Sequence, residues 1–163
     1  MPRPAARNGA LSGLLWQALN RSAVPLKLFD SSTGFRLADG SVLSPDAALV
    51  ARERWQALTA EQRRGFAPLC PDLVVELASA SDEGPRGLTA LHQKMAAYQG
   101  NGARLGWLWI PEQRAVEIWE DQGQAPRRIE AASRLDGAPL FPALVIDLED
   151  IWGGLRGSTK ASP

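Results

Sequence analysis

The stretch Pro71-Asp72-Leu73-Val74-Val75-Glu76-Leu77-Ala78-Ser79-Ala80-Ser81-Asp82 is an apolar run with one carboxylate in its middle. It is short and rich in Val and Leu, opened by Pro and closed by a Ser/Asp cluster, which predicts a buried central strand. Side chains alternate along a strand, so Val74, Glu76 and Ala78 share one face while Val75 and Leu77 share the other. Glu76 then stands among apolar neighbours, and an ionised carboxylate there costs several kcal/mol unless a cation, a metal or hydrogen-bond donors replace its hydration.

A chain of 163 residues, 45% of them hydrophobic, suits one domain with a real core. Its 18 Lys and Arg balance 18 Asp and Glu. No global positive field therefore steers the chain to nucleic acid, although a local basic groove stays open. The single cysteine, Cys70, excludes an intrachain disulfide and a Cys-rich zinc site, and its simplest role is that of a small buried hydrophobe. A free thiol suits a reducing compartment, so a cytoplasmic location is expected. No apolar segment approaches the ~20 residues that cross a bilayer. Arg3 and Arg7 precede no apolar run with a cleavage site, so no secretion and no membrane partner are expected.

Residues 1–7 predict a polar, flexible lead, after which Asn8 can cap a helix carrying the stripe Leu11, Leu14, Leu15, Ala18 and Leu19. Strands are predicted at Leu26–Phe29 and Gly34–Leu37. Asp39-Gly40 makes the turn into a returning strand, Val42–Val50, interrupted at Ser44-Pro45-Asp46 because Pro45 cannot donate to a ladder. Residues 52–65 read as a surface helix or two short turns. Arg52, Arg54, Arg63 and Arg64 there can touch phosphate or simply form a solvated face. Beyond the central strand, Ser81 and Asp82 offer cap oxygens to a helix from Pro85 or Arg86 to Gln99, with Leu88, Leu91, Met95 and Tyr98 as its stripe. Lys94 lies at the stripe's edge and can deliver its ammonium toward the sheet, while the lone His92 projects elsewhere. Strands at Leu105–Ile110 and Ala115–Trp119 follow, the first parallel to the central strand through a right-handed crossover and the second antiparallel. A polar stretch, Asp121 to Gly137, leads to an extended segment, Leu140 to Leu148, and a loose end at 153–163.

The sequence holds no Gly-x-Gly-x-x-Gly loop, no phosphate loop and no Gly-x-Ser-x-Gly nucleophile turn, and one His cannot build a multi-His zinc site. Trp107, Trp109 and Trp119 sit in strands, where packing explains them better than base stacking. A set of carboxylates with one lysine remains.

Those residues carry a resemblance. Pro71 to Leu77 with Ser79, then Ser81-Asp82, Lys94-x-x-x-Tyr98 and Asn101-Gly102-Ala103-Arg104-Leu105-Gly106-Trp107-Leu108 resemble the Uma-two family, within the PD-(D/E)XK nuclease superfamily. Thr33 to Leu37, Asp39-Gly40, Ser44-Pro45-Asp46, Leu140-Phe141-Pro142 and Ile151-Trp152 extend it, so a nuclease-like domain is expected over residues 8–152. The resemblance implies an α/β, restriction-endonuclease-like mixed central sheet flanked by helices. It also implies a Mg²⁺-dependent endonuclease, with Mn²⁺ as substitute and DNA as the expected partner, free to form a homo-oligomer. Asp46 becomes the metal-binding aspartate, Glu76 the acid of the (D/E)-x-K motif, and the Leu77 carbonyl a third metal ligand. Ala78 stands where that motif has its lysine, and Lys94 is the expected replacement. Ala80 replaces a frequent Pro, and Ile110 a frequent Asp. The chain also starts almost at its first helix, without the family's Tyr-Glu-Leu-x-x-Gly-like hairpin, so a further acid is expected to be missing. The alternative to the enzyme is a nuclease-like fold without catalysis, acting as a binding or structural module.

Overall fold

A computed structural model describes residues 4–82, 84–120, 124–149 and 152–153. Of the loose ends expected at 1–7 and 153–163, residues 1–3 and 154–163 lie outside them, as does Ile151, whereas residues 4–7 and 153 are helical. Helix α1 runs over Pro4–Ser22. It thus starts ahead of the Asn8 cap that the sequence suggested, because Pro is well suited to a first helical turn. Strand β1, Leu26–Asp30, is followed by a small hairpin of β2, Phe35–Arg36, and β3, Val42–Leu43. The Ser44-Pro45-Asp46 break separates β3 from β4, Ala47–Ala51, so the returning strand is two strands in different sheets. Two short helices, α2 at Arg52–Gln56 and α3 at Ala60–Arg64, fill the charged excursion. Thr59 caps the second, accepting from the Gln62 N–H at 3.1 Å, while the Gln62 side chain accepts from the Thr59 N–H at 2.8 Å.

The expected central strand is β5, Leu73–Leu77, and all of its residues are buried. Helix α4, Pro85–Gly100, crosses to β6, Leu105–Ile110, which pairs in parallel with β5. Strand β7, Ala115–Trp119, returns antiparallel, and β8, Arg127–Ile129, closes the sheet. The sheet is six-stranded and mixed, in the order β1-β4-β5-β6-β7-β8. A second hairpin joins β9, Arg134–Asp136, to β10, Val145–Asp147. Strand structure thus occupies part of the stretch expected to be merely polar, and only a short piece of Leu140–Leu148 is a strand.

Period-two alternation sorts the core. Val75, Leu77, Trp107 and Trp109 pack under Leu11 and Leu15 of α1 together with Leu135 and Ile146 of the β9–β10 hairpin. Val74, Ala78, Leu108 and Ile110 pack on the other face, under Met95 and Tyr98 of α4 and Phe35 of the small hairpin. Gly106 allows α4 to sit this close, since a Cβ there would stand 2.7 Å from Met95 Cε and 3.3 Å from Trp119 Cβ. At its start α4 departs from expectation. Its cap position is Gly84, with no side-chain bond, and Asp82 instead closes its own turn, accepting from the Ser79 N–H at 2.9 Å and hydroxyl at 2.7 Å.

Candidate active site

The register of β4 against β5 pairs Ala47 with Val75. Continued by one residue, it sets Asp46 opposite Glu76, and residues directly opposite in an antiparallel pair present their side chains on the same face. The next pair would be Pro45 with Leu77. The Ala78 N–H donates to Trp109 on β6 at 2.8 Å, so Leu77, one residue earlier, turns its amide and carbonyl toward the β4 side. Pro45 has no N–H to offer that carbonyl. The Leu77 N–H is taken up by Asp46, whose Oδ2 accepts it at 2.7 Å. A break legible in the sequence thus places one carboxylate and one backbone carbonyl at the same end of the sheet.

Glu76 is 3% exposed and faces α4. Lys94 and Tyr98, four residues apart on that helix, both reach it. The Lys94 ammonium lies 2.8 Å from Oε1, and the Tyr98 hydroxyl donates to the same oxygen at 2.9 Å. Lys94 also donates to the Ser44 carbonyl at 3.3 Å, joining helix and loop above the carboxylate. Burial and then the nearby charge of Asp46 push the Glu76 carboxyl up to about 7, against the pull of Lys94 and Tyr98. Burial and the Glu76 charge push the Tyr98 phenol up in turn, which keeps it a donor. Asp46, Glu76, Lys94 and the Leu77 backbone are therefore together. Ala78 is fully buried beside them, so the ammonium arrives from the helix rather than from the strand.

The sequence sets Tyr98 in the apolar stripe of α4 and in the Lys94-x-x-x-Tyr98 pattern, without a role of its own. Its place one helical turn beyond Lys94 was the signal that both reach one partner. Two further contacts carried no signal: the Asn8 amide near Asp46 Oδ1 and the Arg7 guanidinium near the Ala78 carbonyl, each at 3.4 Å. They depend on α1 reaching across the end of the sheet. Other charged residues belong elsewhere. Asp72 accepts from the Ala51 N–H at 2.7 Å and pairs with Arg54 at 2.9 Å, fastening β4 to β5. Arg63 donates to the carbonyls of Leu58 at 2.8 Å and Gln56 at 3.2 Å. His92 meets Glu117 of β7 at 2.7 Å.

The family model named Uma2, described as "Putative restriction endonuclease", matches residues 1–149. The chain belongs to the Uma2 family. No curated protein matches it. A solved structure from Anabaena variabilis, titled a "putative nuclease", is similar, with a TM-score of 0.72 at 17% identity over 96% of this chain and 84% of that one. That likeness shows the fold, and the mixed α/β sheet flanked by helices is the expected restriction-endonuclease-like one. No helix among the described residues is long and apolar enough to cross a membrane. The described residues of this Uma2 member hold no group of three or more His, Cys, Asp or Glu fit for a metal ion.

Proposed function

We propose that the chain is a Mg²⁺-dependent endonuclease that hydrolyses phosphodiester bonds in DNA, accepting Mn²⁺ in place of Mg²⁺. The observation that carries this is the buried Glu76 carboxyl, pushed up to about 7 by burial and by the charge of Asp46, with the Lys94 ammonium 2.8 Å away. A buried acid raised by the charge of a second, half-buried one is an arrangement that a divalent cation relieves. The donors also suit a hard ion. Asp46 and Glu76 offer carboxylate oxygens and Leu77 a carbonyl, and Mg²⁺ asks for only one or two carboxylates, with water and substrate phosphate completing its shell. When bound, the ion supplies a water of lowered pKa and positive charge against the phosphate.

The chain's own residues do the rest. Tyr98 and Lys94 both hold Glu76 Oε1, and Oε2 would be the oxygen offered to a metal ion. Asp46 is oriented by the Leu77 N–H. Lys94, with its side chain 30% exposed, can lean from Glu76 to an incoming phosphate and oppose the charge that builds on it. A cytoplasmic location, where Cys70 stays reduced, belongs to the same reading. The second reading, an inactive nuclease-like fold that binds or scaffolds, draws on the same ion pair, because Lys94 already balances the buried charge of Glu76 without a metal.

Cleavage of a mixed pool of DNA and RNA with Mg²⁺ or Mn²⁺ separates the two. The enzyme reading expects nicking of DNA that Glu76→Gln and Asp46→Asn abolish and that Lys94→Ala lowers at least about a hundredfold. It also expects Mn²⁺ to raise the thermal unfolding temperature of the wild type but not of Glu76→Gln. No cleavage, no metal-induced stabilisation and a destabilised Glu76→Gln would leave the binding module.

A further inference from the structure

Beside the acid pair the surface carries an exposed aromatic ring. Phe66, two residues past α3, is 54% exposed. It rests on Gly34, where a Cβ would stand 2.7 and 2.9 Å from two of its ring atoms. The same Cβ would lie 3.2 Å from the Ser44 hydroxyl, and the Ser44 carbonyl accepts from Lys94 at 3.3 Å. Phe66, Gly34, Ser44, Lys94 and Glu76 therefore make one continuous track from the surface to the buried carboxylate. The ring lines a cavity of about 430 Å³ together with Arg63, Arg64, Ser32 and Thr33. The Leu58 and Gln56 carbonyls hold the Arg63 guanidinium in place. Arg64 is exposed and makes no ion pair among the described residues. Asp30, the acid bonded to Ser32, is turned onto that residue's own N–H at 3.0 Å.

We propose that this ledge takes an unpaired nucleobase stacked on Phe66, with the adjoining phosphate against Arg64 and Arg63. The proposal rests on the nucleic-acid reading of the site and narrows it to a strand with an unpaired base near the cut. A flat aromatic face next to two guanidinium groups is the pairing that binds single strands: the base covers the ring while the cations meet the backbone. A base within a duplex has both faces covered by its neighbours and has none to offer. The zero formal net charge sharpens the argument, because without a long-range field local contacts must supply the affinity.

The test is fluorescence anisotropy of a labelled single-stranded DNA oligonucleotide, and of the duplex of the same sequence, in EDTA at fixed low salt. The wild type is expected to bind the single strand more tightly than the duplex. Phe66→Ala should weaken single-strand binding at least about fivefold and duplex binding less, while Phe66→Trp should retain it. Arg64→Ala should lower the salt slope by about 1. Phe66 is exposed and outside both buried clusters, so the alanine variant keeps its core. No single-strand binding by the wild type, or equal single-strand affinity in wild type and Phe66→Ala, overturns the proposal. Because no hydrolysis proceeds in EDTA, a Phe66-dependent affinity stands even where metal-dependent cleavage is absent. An unchanged affinity sinks the ledge even where the wild type cleaves DNA.

Discussion

The energetics of the Glu76 carboxyl depend strongly on its surroundings. An unfolded chain releases its proton near 4.5, whereas burial and Asp46 hold it in the folded protein to about 7. The folded state therefore binds the proton more tightly, and the stability this gives is fully present below the unfolded value and lost as pH rises through about 7. In EDTA the unfolding temperature of the wild type should fall across that window more steeply than that of Glu76→Gln; parallel curves would show that Glu76 is not strained. Cys70 is 6% exposed, and burial pushes its thiol up to about 11. Iodoacetamide at pH 8 should therefore modify it slowly in the folded protein and readily in urea, and fast native labelling would contradict this placement. The buried Asp72 carboxylate accepts from the part-buried Ala51 N–H at 2.7 Å, so Asp72→Ala should cost about 1–3 kcal/mol in urea unfolding, more than its half-exposed ion pair with Arg54 alone would lose.

Among the elements, β6 passes close under α4 at Gly106, where a Cβ would stand 2.7 Å from Met95 Cε. Gly106→Ala should destabilise by about 1–3 kcal/mol, and in combination with Met95→Ala the loss should be smaller than the sum of the two single losses, because a flexible side chain is what blocks the space. Additive losses in the double variant would place the strain elsewhere. The elements that could be read in advance were those with an internal period: the alternation of β5, β6 and β7, the stripe of α4 and the crossover between them. Pro45 also announced the strand break, and with it the place where Asp46 meets the Leu77 N–H. The start of α1, the cap of α4 and the short strands β8 to β10 were not legible, because packing against the rest of the chain decides them rather than local pattern. Asn8 shows the limit well: it suits a cap locally, yet it lies inside a helix and reaches toward Asp46.

At the scale of the whole molecule, two layers of helices and hairpins close over one mixed sheet, and the candidate site sits where the antiparallel pairing of β4 with β5 runs out. The resemblance in the sequence pointed to Asp46, Glu76 and Lys94, and the register and the α4 crossover set them at one end of the sheet. The Phe66 ledge depends on tertiary contacts that no spacing reveals. Crystals of the wild type grown or soaked with Mn²⁺ and measured at the manganese absorption edge test the central claim directly. The account predicts an anomalous peak shared by the Asp46 and Glu76 carboxylates and the Leu77 carbonyl, and its loss in Glu76→Gln. Manganese bound away from these residues, or none bound while the Lys94–Glu76 ion pair stays closed, would contradict it.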